Sequence, residues 1–383
     1  MKSKTFTLLF FSFIIFKTVV AQNHTIEIES PITFEASFVG DVVNNLSGGI
    51  KKGTYYLGMA NLKISFETEK ANLWKGGQMF LNAANTHGKT PTADLVGDFQ
   101  TFSNLEAGNL NYIQELWYKQ SFGKASFIVG LQDLVVEFLS SEHAAMFLNS
   151  SFGVHSTISD NLPVPIFPLT SLGAQFHFNF SEKWVVKTAI FDGVPDEFDV
   201  NPYNVSWKLK KNDGYLAFSE IAFQNTAEKF LGTYKIGAYY HNPHIIEKEN
   251  GDDILMEEHN ENSGFYATID QTVFNNSAGK QLSIFTLASI SPKSENENWY
   301  YLGFGANYIG LFPNRTSDIL GLAVAHAGFK EKNNETAVEL SYKIQISENF
   351  SFQPDFQYII NPAGTELNLD NAFVANIRLG INF

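Results

Sequence analysis

The sequence predicts an all-β chain, a transmembrane antiparallel β-barrel of about sixteen strands. Three observations lead there. Apolar and polar residues alternate with a period of two over stretches of roughly ten residues, as in a strand with two unlike faces. Long and short connections alternate between those stretches through most of the chain. The final stretch ends on an aromatic residue, Phe383.

The elements follow in chain order. Lys2 and Lys4 precede an apolar run from Phe6 to Phe16 that closes on Val19 and Ala21, spaced as before a signal-peptidase site. The run is too short to span a bilayer, so residues 1–21 are expected to be a cleaved export signal and 22–383 the barrel. Candidate strands then fall at 32–44, 54–67, 76–85, 110–121, 125–137, 171–180, 184–192, 214–224 and 233–242. The remainder are 264–274, 281–291, 299–309, 318–329, 336–347, 350–360 and 372–383. Alternation is clean in the sixth, where Leu172, Ala174, Phe176, Phe178 and Phe180 oppose Gln175, His177 and Asn179. It is clean again where Val338, Leu340, Tyr342, Ile344 and Ile346 oppose Glu339, Ser341, Lys343 and Gln345. In the last strand Phe373, Ala375, Ile377, Leu379, Ile381 and Phe383 oppose Asn376, Arg378 and Asn382. The fourth and fifth alternate poorly. Pro354 lies inside the fifteenth, where it removes a ladder hydrogen bond, so a bulge or a place near the rim is expected.

Short connections lie at 121–124, 181–183, 225–232, 275–280 and 347–349; long ones lie at 86–109, 138–170, 193–213 and 242–263. Sorting by parity is what a barrel with short turns on one rim and long external loops on the other requires. In such a barrel one strand face meets lipid and the other meets water, which leaves no need for a packed interior. Tyr55, Tyr56, Tyr300, Tyr301 and Phe350 near strand ends suit aromatic girdles. In the loop 138–170, residues 140–148 read as a short helix. The remainder, with Pro163, Pro165 and Pro168, reads as extended.

Composition excludes more than it asserts. The chain has 383 residues, 44% hydrophobic and 15% aromatic, no cysteine and a net charge of −14. Absent cysteine rules out disulfides, thiolate metal sites and a cysteine nucleophile. The acidic balance argues against nucleic acid, which needs a basic stripe. Without the signal, 23 basic residues stand against 40 acidic ones, a charge of −17. His241 and His244 have metal-like spacing but read as a solvated loop, as does the acidic stretch 247–258. Gly303 and Gly305 lie in a strand with no helix following and make no dinucleotide fingerprint. No cofactor or metal is expected, and no nucleophile motif suggests an enzyme.

The residues that resemble a family are concentrated in the last hairpin. They are Glu335, Glu339 and Tyr342, then Phe352-Gln353-Pro354-Asp355-Phe356-Gln357-Tyr358 running to Asn361-Pro362-Ala363-Gly364. Upstream stand Tyr56-Leu57-Gly58, Phe66-Glu67-Thr68-Glu69-Lys70, Trp74-Lys75-Gly76-Gly77-Gln78, Gln114-Glu115-Leu116-Trp117-Tyr118 and Val129-Gly130-Leu131-Gln132-Asp133. Phe147-Leu148-Asn149-Ser150-Ser151-Phe152 and Phe167-Pro168-Leu169-Thr170 follow in the same order. Together they resemble the carbohydrate-selective porins of the OprB family.

That resemblance implies a bacterial outer-membrane porin passing sugars or small neutral solutes by diffusion. It also implies that the loop 138–170 folds inward as a constriction, with Glu142, His143, Phe147 and Asn149 on it. By strand parity the channel-lining candidates are Lys63, Gln175, Lys187, Glu339, Asp355, Gln357 and Arg378. The resemblance adds Glu115, Trp117, Asp133 and Glu137, with Trp117 either a sugar-stacking surface or a girdle residue. Arg315 and Arg378 are the two arginines, so lysines must supply most of the positive charge without a bidentate fork. Expected partners are outer-membrane lipid and the assembly machinery that reads Phe383, with a homo-oligomer left open. A non-selective or weakly cation-preferring diffusion pore is the alternative, cation preference following from the acidic excess.

Overall fold

The computed structural model describes residues 30–383 apart from 228–229, 251–252, 277–278 and 366–367. The expected export signal at 1–21 lies outside the described residues. Sixteen strands close into one antiparallel ring. The first eight are β1 (Ile32–Gly49), β2 (Gly53–Glu67), β3 (Gly77–Gly88), β4 (Leu110–Phe122), β5 (Ala125–Gln132), β6 (Ser171–Asn179), β7 (Trp184–Asp192) and β8 (Tyr215–Asn225). Then come β9 (Gly232–His241), β12 (Asn262–Asn275), β13 (Gln281–Ile290), β14 (Asn298–Ile309), β15 (Ile319–Phe329), β16 (Glu335–Ser347), β17 (Phe350–Ile360) and β18 (Asp370–Asn382). β18 pairs with β1 from Ser37↔Asn382 to Gly49↔Asp370, so the ring has no free edge.

The two faces differ as the alternation requires. One carries exposed apolar side chains, such as Ile236 at 64%, Phe265 at 62% and Phe304 at 57%. The other carries Asp41, Glu220, Asp270, Glu339 and Asp355, all buried. An apolar belt of that extent on a closed barrel is the lipid-facing surface of a membrane protein.

Where sequence parity fails, the cause is local. Asn82 pairs with Glu115 but Ala83 pairs with Ile113, so Gln114 is an extra residue. This bulge shifts the parity of β4. It places Glu115 and Trp117, opposite Asn82 and Phe80, on the polar face with Lys63. Trp117 is therefore not a girdle residue. β5 stops at Gln132 instead of running to 137, because Asp133 caps the short helix α1 (Leu134–Glu137) by accepting from the Val135 N–H. Glu137 thus leaves the strand wall. The stretch of β4 left without β5 is met by the β7–β8 connection, where the Ile113 N–H donates to the Tyr203 carbonyl at 3.0 Å.

Three further expectations change. The predicted helix over 140–148 is only a 3-10 turn, Ala144–Met146, and a short helix α2 (Ser156–Ser159) forms later. Of the two placements expected for Pro354 the bulge is absent: it pairs with Ile377 of β18, four residues from the short-connection end of β17 at Phe350. Towards β16, rungs are missing between Ser341↔Asp355 and Ile344↔Phe352 without a change of register, on the side where proline has no N–H to give. The connection 242–263 is a hairpin, β10 (His244–Asn250) with β11 (Asp253–His259). At its base His241 and His244 are buried, not solvated, with ring centroids 3.9 Å apart. The side chains of 247–255 lie outside the described residues.

The polar face is also not uniformly wet. Val43, Leu57, Phe285, Ala323, Ala325 and Ala337 of the strands pack with Leu95, Phe102, Met146, Phe147 and Phe152 of two connections. Small wall residues make this possible. A Cβ on Gly321 would stand 2.7 Å from the Phe147 ring and 2.9 Å from the Met146 sulfur. Gly321→Val should therefore overpack this cluster by about 1–3 kcal/mol. The expected outcome is a lower temperature for the barrel-to-unfolded mobility shift on a denaturing gel.

Candidate functional site

The polar face is organised by carboxylates that accept main-chain N–H groups from the connections. Glu339 accepts from Leu148 at 2.5 Å and Asn149 at 3.0 Å. Glu335 accepts from Phe99 at 2.7 Å, Gln100 at 2.9 Å and Ala363 at 2.6 Å. Asp270 accepts from Glu142 and His143, both at 3.2 Å, and from the Ser141 hydroxyl at 2.6 Å. Glu220 accepts from Leu139 at 3.1 Å. Amides do the same in reverse, Gln353 donating to the Met146 carbonyl and Gln357 to that of Phe102. An N–H···carboxylate bond contributes about 1.5–3 kcal/mol, more than a neutral one.

The predicted residues divide accordingly. Glu339, Asp355 and Gln357 on the strands, with Phe147 and Asn149 on the connection, are at most 1% exposed. Phe147 packs 5.1 Å from Phe152 and 5.6 Å from Phe285. These residues are covered. The His143 carbonyl accepts from Asn307 at 2.7 Å, while the Glu142 side chain is exposed.

In a second group Lys63, Trp117, Glu137, Lys187 and Arg378 stay partly open, while Glu115 and Gln175 are buried beside them. Lys187 Nζ lies 2.6 Å from the Glu137 carboxylate and 2.9 Å from the Glu137 carbonyl. Burial opposes the Glu137 charge, but the Lys187 ammonium outweighs it and holds the carboxyl below its usual range. Gln175 bonds His177 at 2.9 Å and links to Gln132. Trp117 donates to Glu115 at 3.1 Å and stacks on Phe80, centroids 4.9 Å apart. Lys63 sits opposite Asn82 on the same face. Arg378 grips Asp41 with two bonds, 2.7 and 2.8 Å, and donates to Asn104 at 2.8 Å.

Asp41, Glu220 and Asp270 were not picked out from the sequence, and Glu335 was named there only among the residues of the resemblance. The signal was there, because each sits at a polar-face position otherwise held by small or apolar residues. The Phe80–Trp117 stack was hidden by the β4 bulge. Among the described residues, no three His, Cys, Asp or Glu side chains converge on a metal position.

A closed sixteen-strand barrel with an apolar outer belt and a polar second face defines the class: an integral outer-membrane channel protein. Residues 51–383 match the model of the carbohydrate-selective porin, OprB family, and the chain belongs to that family. Porin B of Pseudomonas aeruginosa is 24% identical over 92% of this chain and 87% of its own. The putative porin QuiX of Acinetobacter baylyi is 22% identical over 91% and 89%. The high-pH structure of Pseudomonas putida OprB superposes with a TM-score of 0.82 at 19% identity, covering 92% of this chain and 94% of that one. The protein is thus an outer-membrane carbohydrate porin.

Burial pushes the Asp133 carboxyl up to about 6, against the hydrogen bonds from Val135 and Gln114 that favour its charge. Its folded value lies above the ordinary one, so its contribution is fully present below about pH 4 and is lost as pH rises through about 6. Protection of the α1 amides against hydrogen exchange, corrected for intrinsic rates, should fall between pH 4 and pH 7. Asp133→Asn should flatten that dependence.

Proposed function

We propose that sugars cross through a water-filled channel lined by the polar face and narrowed by the β5–β6 connection. One observation carries this reading. That single connection bonds to polar-face residues of β8, β12, β14, β16 and β17, strands spread over much of the ring. A segment can reach all of them at once by crossing the barrel interior. In this reading Glu339, Asp355, Gln357, Phe147 and Asn149 hold the constriction in place. Lys63, Glu115, Trp117, Glu137, Glu142, Gln175, Lys187 and Arg378 border the path, and Asp133 fixes where the connection leaves the wall. The Phe80–Trp117 pair offers an aromatic surface to sugar C–H faces, and the neighbouring amides and carboxylates offer hydroxyl partners. Weak replacement of hydration lets a sugar enter and leave. The same reading makes 1–21 the export signal and Phe383 the residue presented to the assembly machinery.

Swelling of liposomes carrying the purified protein tests this. Monosaccharides should enter faster than polyols of matched size, and rates ordered by size alone would remove carbohydrate selectivity. Trp117→Ala should reduce the sugar advantage several-fold while leaving ion conductance. Glu339→Ala strands the Leu148 and Asn149 N–H groups at about 1–3 kcal/mol each. Its single-channel conductance in planar bilayers should be larger and noisier than that of the wild type.

A further inference from the structure

The chain's net charge of −14 alone predicts preference for cations. The polar face distributes charge otherwise. Lys63, Lys119, Lys187, Lys235, Lys343 and Arg378 all stand on it. Each is three or four residues from the short-connection end of its strand, at Glu67, Phe122, Trp184, Gly232, Ser347 and Asn382 respectively. They come from six strands around the ring, which makes them a belt at one level. All keep access to water: the four lysines other than Lys187 are partly exposed, and the Lys187 and Arg378 side chains are 20% and 15% exposed.

The acids of this face are placed differently. Asp41, Glu115, Glu220, Asp270, Glu335, Glu339 and Asp355 are at most 6% exposed, most of them beneath the connections whose N–H groups they accept. Near the belt, Asp41 is taken by Arg378, Glu137 by Lys187, and Glu35 lies opposite Lys63. Among the described residues, Lys119, Lys235 and Lys343 have no carboxylate within ion-pair distance; Lys235 donates to the Ser140 carbonyl at 2.7 Å and hydroxyl at 2.9 Å.

We propose that this belt makes the channel anion-preferring, and that among carbohydrates it favours those bearing a carboxylate. The proposal rests on the polar face being the channel lining. A permeating solute then meets the belt, while most acids of the face are buried and Glu35, Glu137 and Glu142 remain open to water. Rings of ammonium groups select anions in narrow pores, where low-dielectric walls focus their field. The carboxylate of a uronate or aldonate meets the ammonium groups of the belt as it passes.

Planar bilayers holding the purified full-length protein across a tenfold KCl gradient decide the charge preference. The expected reversal potential has the sign of chloride selectivity; potassium selectivity would overturn the belt while leaving the porin reading intact. An absence of channels would overturn the porin reading itself. In liposomes, glucuronate should enter at least twofold faster than glucose, and glucosamine more slowly. Equal rates for all three would defeat the cargo assignment. Replacing Lys119, Lys235 and Lys343 together by Gln should move the permeability ratio at least twofold towards potassium. An unchanged ratio in this variant would also count against the belt, and single substitutions serve the same comparison if the triple variant does not assemble.

Discussion

The molecule depends on how two long connections are bound to a strand wall through buried carboxylates. A main chain laid across a barrel carries N–H groups that need acceptors once water is displaced. Glu220, Asp270, Glu335 and Glu339 supply them, and the connections in turn cover the carboxylates. Removing a carboxylate strands the N–H groups it accepts, and removing a connection leaves the wall carboxylates without those donors. Apolar packing of Phe147, Phe152 and Phe285 against alanines and glycines fills the space between these polar anchors. Side chains such as Phe147 and Gln357 are therefore as deeply buried as any residue of a soluble core.

The strand wall itself answers to a different constraint. Its outer belt must be apolar and its ladder continuous, because lipid offers no hydrogen bonds. Local exceptions are met with local remedies. Gln114 bulges to turn Trp117 onto the polar face, the Tyr203 carbonyl completes the β4 edge, and Pro354 is tolerated where the rungs to β16 lapse.

Much of this was legible in the residues. Period-two alternation needs only neighbouring positions, so the strands and their faces could be read directly, as in β6, β16 and β18. All sixteen barrel strands were found, and the alternation of connection lengths gave the barrel. The polar positions Lys63, Gln175, Lys187, Glu339 and Arg378 followed from the same parity. What failed was whatever depends on a single inserted residue or on distant partners. One extra residue in β4 reversed the parity that would have exposed the Phe80–Trp117 stack. Asp133 ended β5 by capping a helix of four residues, too short to leave a periodic signal. The β10–β11 hairpin was read as a solvated loop because its acidic stretch shows no clean apolar alternation in the sequence. Composition counts acids without their burial, and Glu335, Glu339 and Asp355 are fully buried.

The Glu339 contacts also set an order of events. The residues joined there, Leu148 and Glu339, are separated by 191 positions, and Phe99 and Glu335 by 236. The first half of the chain therefore cannot complete the anchoring of its own connections when it emerges. Asp41, Glu220 and Asp270 hold them in part, and the remaining anchors arrive only with the last hairpins. Barrel closure and the final seating of the connections become a single late event, and their long sequence separation makes it a slow one.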